Sequence, residues 1–491
     1  MTRQCAKRNF PGKQTEKNGR IRISVTKFAP LQADTIEALR SIVGHEFVLT
    51  DEESRSRYGQ DETEDLVFAA EVVVKPGSAG EISRILTLAN VHNFPVTPRG
   101  GGTGLSGGAL PVYGGVTLSL ERLNHILEID TKNLQAVVEP GVTTQSLQES
   151  VEALGLFYPP DPASRGSCHL GGNLAECAGG PRAVKYGVTK DYVLGLEAVL
   201  PTGQVISTGG RVLKNVTGYN LTQLIIGSEG TLAVITRIIL RLIPLPRRRK
   251  VVLVAFETLE RAAEAVAAIF QKGITPSALE FMEKSAVRAA EERQGKKFPN
   301  SEAGAQLLIE VDGNLDEALT IDIEEIAAIG EQHGALDILL AEDRQKMDDV
   351  WALRRGIGEA VKSISAYKEE DTVVPRANLP RLVSGVKEIC DRYGVRSICY
   401  GHAGDGNVHV NILREQLDEA SWEQRMDDAV KEIFNLTVSL GGTISGEHGI
   451  GYSQKPYLSI ALSPEEIDLM KRIKNTFDPK GILNPGKIFP S

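Results

Sequence analysis

The stretch RGGGTGLSGG, Arg99 to Gly108, places six glycines in ten residues and contains Gly102-x-Gly104-x-x-Gly107, the spacing of a dinucleotide fingerprint. That fingerprint needs a strand before it and a helix after it, because the diphosphate rests on the helix N-terminus. The preceding PVTP reads as a strand. The following GALPVYGG, with Pro111 and two more glycines, cannot open a helix of useful length. A P-loop would close on Gly-Lys-Ser/Thr, where this segment has Leu-Ser-Gly. The nicotinamide reading therefore fails on its context. Bare backbone still lets several N–H groups converge on an anion and lets a flat ligand approach closely. A flexible linker fits poorly, since Arg99, Thr103, Leu105 and Ser106 interleave with the glycines. The stretch is expected to cradle a diphosphate-bearing cofactor.

Two further glycine-rich segments lie downstream, Ser167 to Gly187 and Thr217 to Thr236, each beside a strand pattern. Three such loops in one region suggest a long cofactor gripped along its length. Around them, VVVKP, PVTP, VTLSL, ILEID, AVVEP and LAVITRIILRLIP read as strands. EISRILTLANVHN carries a helical apolar face, and TTQSLQESVEALG reads as a helix capped at Thr144 and stopped at Gly155. VLGLEAVLPTGQVIST reads as a hairpin about Thr202-Gly203. At PLPRRRK the texture changes to VVLVAF, ERAAEAVAAIFQK, ALEFM, AQLLIEV and DEALTIDIEEIAAIGEQ, the pattern of an antiparallel sheet with helices on one face. The expected organisation is a disordered basic tail over 1–28, a cofactor domain over 29–245, a substrate domain over 246–460, and a C-terminal segment over 461–491 that returns to the cofactor domain.

The chain has 491 residues, 41% of them hydrophobic and 24% charged, with formal net charge −9. That length calls for two or three domains, and the acidic balance argues against a nucleic-acid surface. The first 28 residues hold eight Lys/Arg against Glu16 alone, and Arg247 to Lys250 is a short basic run; both read as solvated segments. Five cysteines without a C-x-x-C pair point to a reducing compartment and away from a cluster or zinc ribbon. No apolar h-region follows the basic N-terminus, and no run is long and apolar enough to span a bilayer. A cytoplasmic protein is expected, with peripheral docking at the inner membrane left open.

A second chemical cluster is YGHAGDGNVHVNI, Tyr400 to Ile412. Asp-Gly between alternating segments signals a type I′ hairpin. With Asp405-Gly406 at the turn, Gly404 faces Asn407 and His402 faces His409, two imidazoles on one face with Cβ atoms ~5 Å apart. GGTISGEHGIGY, Gly441 to Tyr452, adds Glu447 and His448. Neighbours on an extended chain point apart, so one could bind a metal while the other faces substrate. Two histidines, a carboxylate and open positions make a catalytic pattern, although Glu447 could instead be a hydrogen-bond partner of a histidine.

PRGGGTGLSGG, GGNLA, KYG and GSEGTL, in that order, resemble the FAD-binding domain of the vanillyl-alcohol oxidase type. GHAGDGNVH and SGEHGIG are similar to the C-terminal domain of FAD-linked 2-hydroxyacid dehydrogenases, the glycolate, D-lactate and D-2-hydroxyglutarate group. The resemblance runs from about Val67 to the C-terminus. It implies an α+β protein: a two-part FAD-binding domain plus an α+β substrate domain whose antiparallel sheet is covered by helices. It implies FAD contacts at Pro98, Arg99, Gly100, Gly101, Gly102, Thr103, Gly104, Leu105, Ser106, Pro160, Gly166, Ser167, Gly171, Gly172, Asn173, Glu229, Gly230 and Ile235, with Asn484 returning to the flavin. It implies a divalent metal, zinc or manganese, on His402, His409 and Glu447, His448 as base, and Arg354 on the substrate carboxylate. Cys177 stands where the family pattern has asparagine, which puts that contact in doubt. No histidine lies between Asn93 and Asn124, so FAD is expected to bind non-covalently. The implied substrate is a small 2-hydroxy acid, D-lactate or glycolate first. D-2-hydroxyglutarate would need a second cation such as Arg355 or Lys368. Related FAD enzymes that build ether lipids without net oxidation stay open as another class. No second redox motif exists, so electrons are expected to leave to an electron-transfer flavoprotein, an iron–sulfur subunit or a quinone; a homodimer is left open.

Overall fold

The computed structural model describes residues 28–490. The expected disordered tail lies outside them except for Phe28, which is buried and meets Tyr113 edge-on at 5.5 Å between centroids. Three larger sheets organise the described residues, with a two-stranded pair, Leu156–Phe157 and Ile243–Pro244, beside them. In the first, Val72–Val74 and Val96–Arg99 run parallel to the central Val116–Ser119, and Val48–Leu49 joins antiparallel at the edge. Helix Ala79–His92 crosses between the parallel strands. Ser78 caps it, and the buried face of Ile82, Ile85, Leu86 and Ala89 seals the sheet, as the 3.6-residue period predicts. The glycine stretch leaves the end of Val96–Arg99 with no helix behind it.

The second sheet is antiparallel, ordered Ile126–Asp130, Gln135–Val138, Val234–Arg241, Val193–Val199, Val205–Gly209. The expected hairpin forms, with Gly203 at φ +88° in its turn. Helices Thr144–Glu152 and Leu170–Glu176 lie on this sheet and share its core through Leu147, Val151, Leu170 and Leu174. The N-cap of the first is Thr143, whose side chain accepts from the Ser146 amide, and not Thr144 as expected. Thr144 is buried instead, and its hydroxyl accepts from Asn173 Nδ2 at 2.6 Å.

The third sheet has seven antiparallel strands, ordered Ala335–Ala341, Arg248–Phe256, Ala305–Gly313, Ala278–Glu283, Arg396–His402, Asn407–Leu413, Tyr367–Val373. Helices cover both of its faces, not one. Val252, Val254 and Phe256 pack with helices Leu259–Gln271, Asp316–Gln332, Leu379–Tyr393 and Glu419–Ser439. Val251 and Leu253 pack with Lys284–Gln294, Arg344–Arg355 and Ile357–Lys362. The near-continuous apolar run VVLVAF is the signature of a strand buried on both sides. After helix Pro464–Phe477 the chain returns to the first sheet, where Leu483 bridges Val96 and Ile482 and Leu483 enter the core.

Two threonines in one helix turn stabilise the protein in different ways. Thr143→Ala is expected to cost ~1 kcal/mol in urea unfolding through the lost cap. Thr144→Ala strips the buried Asn173 amide of its acceptor and is expected to cost about 1–3 kcal/mol in the same measurement.

Candidate active site

The two histidine-bearing strands meet in a register two residues away from the expected one. His402 pairs with Asn407, Gly401 with Val408 and Tyr400 with His409, so the loop spans the four residues 403–406. Contacts at the tip decide this. Gly404 N donates to Leu279 O at 3.0 Å and Gly406 N to His402 O at 2.9 Å. Gly406 sits at φ +84°, where a Cβ would lie 2.0 Å from Val374 O. A shift of two residues preserves the face, because side chains alternate with period two. His402 and His409 are therefore diagonal neighbours, with ring centroids 5.3 Å apart.

The same alternation gathers carboxylates on that face. Glu280 lies opposite His402 and Asp371 opposite His409, with Glu369 two residues along. Glu280 Oε1 is 2.7 Å from His402 Nδ1, and its other oxygen is 2.5 Å from Arg354 Nη2. Neither Glu280 nor Glu369 was identified from the sequence; only the strand pairing brings them in. Lys368 and Glu370 face the opposite side of the same strand, where Lys368 pairs with Glu64 and Glu370. Lys368 is thus removed from the expected substrate cations.

Asp371 also fixes the glycine-rich loop. Its Oδ2 accepts the amides of Gly446 at 2.9 Å, Glu447 at 2.6 Å and His448 at 2.9 Å. From the cofactor domain, Glu229 accepts the amides of Ile450 at 2.8 Å and Gly451 at 2.6 Å. Held on both sides, the loop turns Glu447 and His448 toward His409 together. His402, His409 and Glu447 bring ligand-type atoms within 4.8 Å of one another, and so do Glu369, His409 and His448. His448 stacks on His409 at 5.4 Å and 15°.

Burial and charge split the histidines. Burial pulls His409 down to about 4, which leaves it neutral. Burial also pulls on His402, but Glu280 and Glu447 outweigh it and hold its pKa well above the ordinary value. For His448, burial is likewise outweighed, here by Asp371, Glu369 and Glu447, and the pKa is raised.

These groups line one cavity of about 550 Å³ together with the glycine stretch. Of the sequence-identified residues, Pro98 to Leu105, Ser167, Gly171 to Asn173, Glu229, Gly230, Ile235, Arg354, His402, His409, Glu447 and His448 are on its wall. Four others lie off it. Ser106 is buried, and its carbonyl accepts from Tyr452 and Ser453. Pro160 is also buried, with its carbonyl on Gln148. Gly166 is exposed. Asn484 donates to Gly108 O and Glu229 O, which ties the C-terminal segment behind the cradle. Cys177 ends helix Leu170–Glu176 at φ +58°, a left-handed position where asparagine is a favoured non-glycine residue. His169, absent from the expected set, is on the wall beside Gly100.

Residues 70–209 match the family model described as FAD binding domain, and residues 245–488 match FAD linked oxidases, C-terminal domain. The chain is 41% identical over 460 residues to the glycolate oxidase subunit GlcD of Bacillus subtilis (strain 168), covering 93% of this chain and 97% of that one. The chain belongs to the FAD-linked oxidase family. Among its relatives, the D-lactate dehydrogenase of Archaeoglobus fulgidus is 43% identical over 435 residues, covering 88% and 95% of the two chains. In three dimensions the protein resembles p-cresol methylhydroxylase with TM-score 0.76 at 18% identity, covering 92% and 96% of the two chains, which shows the shared fold.

The FAD-linked oxidase assignment fits the cavity wall. A Cβ on Gly101 would lie 2.4 Å from Ser167 O, so bare backbone is required where the first two glycine loops meet. Arg99 Nη1 and His169 Nδ1 are buried there without a hydrogen-bond partner among the described residues. At the histidine end, the carboxylates of Glu280, Glu369, Asp371 and Glu447 face, among the described residues, Arg354 and Lys362 as permanent cations. No helix of the described residues is long and apolar enough to cross a membrane.

Asp371→Asn must present an NH₂ either to the three loop amides or to Asn407 Nδ2, which donates to Oδ1 at 2.7 Å. A buried group left unsatisfied costs about 1–3 kcal/mol. The variant is expected to lose that much stability in denaturant unfolding and to speed hydrogen exchange at amides 446–448.

Proposed function

We propose that this protein is an FAD-dependent dehydrogenase that oxidises a D-2-hydroxy acid, D-lactate or glycolate foremost, to the 2-oxo acid. The observation that carries the reading is the convergence of Arg354, His402, His409, Glu447 and His448 on one cavity that continues into the glycine cradle. Arg354 takes the substrate carboxylate in a charge-assisted pair; its Nε has no hydrogen-bond partner among the described residues. His448 accepts the 2-hydroxyl proton, and Asp371 and Glu369 stabilise the imidazolium that results. FAD, when bound, supplies the acceptor of the C2 hydride. His402, His409 and Glu447 would hold a divalent cation, zinc or manganese, which would supply Lewis acidity toward the substrate oxygen. Glu280 on His402 Nδ1 is the outer carboxylate that orients such a ligand. With no second redox motif in the chain, the electrons pass to a partner flavoprotein, an iron–sulfur subunit or a quinone.

Anaerobic mixing with D-lactate, L-lactate, glycolate and D-2-hydroxyglutarate tests this through bleaching of the oxidised flavin band. Reduction by a D-acid is expected, and silence with all four overturns the proposal. His448→Ala is expected to keep FAD and slow reduction at least a hundredfold, on the order of a lost general base. Chelation is expected to slow reduction without releasing FAD; full activity in metal-free enzyme removes the cation.

A base must be neutral, so the reduction rate is expected to climb with pH through the raised pKa of His448. Glu369→Gln removes one of the charges that raise it and is expected to move the climb to lower pH, read from stopped-flow rates across a pH series.

A further inference from the structure

The cavity wall carries a carboxyl, Glu176, that the proposed chemistry does not use. Glu176 closes helix Leu170–Glu176 and reaches the seam between two glycine-rich loops. A Cβ on Gly108, the last glycine of the cradle, would lie 2.8 Å from Glu176 Oε1. A Cβ on Gly449, the residue after His448, would overlap Glu176 Oε2. Gly449 also sits at φ +77°, a left-handed conformation that suits glycine. Bare backbone on both sides seats this side chain.

A second carboxyl shares the seat. The Cβ built on Gly449 would lie 3.1 Å from Glu229 Oε1, and Glu229 N donates to Ala175 O at 2.8 Å, which holds the two glutamates side by side. Glu229 has its donors, the amides of Ile450 and Gly451, one on each oxygen. Glu176 Oε2 is buried without a hydrogen-bond partner among the described residues. Lys487 spends its ammonium on Gly108 O, Leu110 O and Asn484 Oδ1. Two carboxyls sharing one buried site do not both ionise readily. The charge therefore settles on Glu229, which has donors, and the proton on Glu176, which has none. Burial first, then Glu229 and Asp61, push the Glu176 carboxyl well above its ordinary pKa, against the pull of Lys487. Burial raises Glu229 as well, but there the two amides oppose it.

A protonated carboxyl carries an O–H donor that needs an acceptor. Glu176 stands between the end of the cradle at Gly108 and the loop that bears His448, and all three line one cavity. With the FAD diphosphate on the glycines and the hydride acceptor facing His448, the flavin ring passes this point. We infer that Glu176, as a neutral carboxyl, donates a hydrogen bond to the flavin ring and so sets its reduction potential. The inference rests on the dehydrogenase reading for the position of the ring beside His448. Arrival of a hydride leaves the ring negatively charged. A donor aimed at it stabilises that reduced form, and a carboxylate in the same place would oppose it. Glu176 keeps its own proton throughout.

The test uses the FAD-loaded enzyme and needs no 2-hydroxy acid. The reduction potential of the bound flavin is measured anaerobically against a reference dye. Glu176→Leu removes the donor and is expected to shift the equilibrium toward oxidised flavin about tenfold or more, the scale of one hydrogen bond to a charged group. Tenfold is a fall of about 30 mV for a two-electron couple. Glu176→Gln keeps a donor and is expected to stay close to the wild type. Infrared difference spectra between oxidised and reduced enzyme give a second readout. The wild type is expected to show a neutral-carboxyl C=O band that shifts on flavin reduction and is missing in Glu176→Gln. An unmoved potential in Glu176→Leu, or no band that Glu176→Gln removes, overturns the inference. If Glu176→Leu loses FAD, the infrared comparison decides by itself. A lowered potential and a lost band, with no bleaching by any 2-hydroxy acid, keep Glu176 on the ring and remove the dehydrogenase reading. Bleaching by a D-acid with an unmoved potential does the reverse.

Discussion

Two buried carboxylates hold the loop Gly446–Gly451 between the two halves of the protein. Asp371 Oδ2 takes three successive amides from the side of the seven-stranded sheet, and Glu229 takes two more from the cofactor domain. Each amide is a donor that must find an acceptor once buried, and a carboxylate is the acceptor with the most lone pairs to offer. Burial raises the carboxyl pKa of Asp371, but His448, His409, Asn407 and the loop amides outweigh it and the net shift is downward. The placement of Glu447 and His448, and with it the shape of the cavity, follows from this clamp.

The electrostatics of the site form a graded arrangement. At the histidine end, negative charge exceeds permanent positive charge, which suits a cation. Next to it Arg354 and then Arg355, beside Asp161, reverse the sign, which suits anions. At the far end the glycines present backbone N–H groups and no side chains to the diphosphate region. One cavity therefore presents, side by side, a wall of net negative charge, a wall of arginines and a wall of bare backbone.

Much of this was legible in order along the chain. The missing helix after Gly107 separated the glycine stretch from a nicotinamide fold, and most strands of the first two sheets, with helices Ala79–His92 and Thr144–Glu152, followed from the apolar period. His402, His409, Glu447 and His448 could be singled out because glycine-rich loops with histidines are rare in a chain of eight histidines. Glu280, Glu369 and Asp371 could not, because they belong to strands distant in sequence and look like ordinary polar positions there. The hairpin register was read two residues off, since an Asp-Gly pair favours a tight turn and the contacts to Leu279 and Val374 that widen it are tertiary. The helical cover was placed on one face because alternation cannot distinguish a strand buried on both sides once every position is apolar.

By itself the sequence determined the cofactor class and most residues of the candidate site, because glycine backbone, imidazole and carboxylate act through local properties that spacing reveals. Only the tertiary structure decided which of those side chains meet. Strand pairing placed Glu280 on His402. The Asp371 clamp turned adjacent Glu447 and His448 to the same cavity, where an extended chain would have parted them. Helix packing set Arg354 and Arg355 on two different carboxylates. These are contacts across tens to hundreds of residues, and their free energy exists only once the sheets have closed on one another.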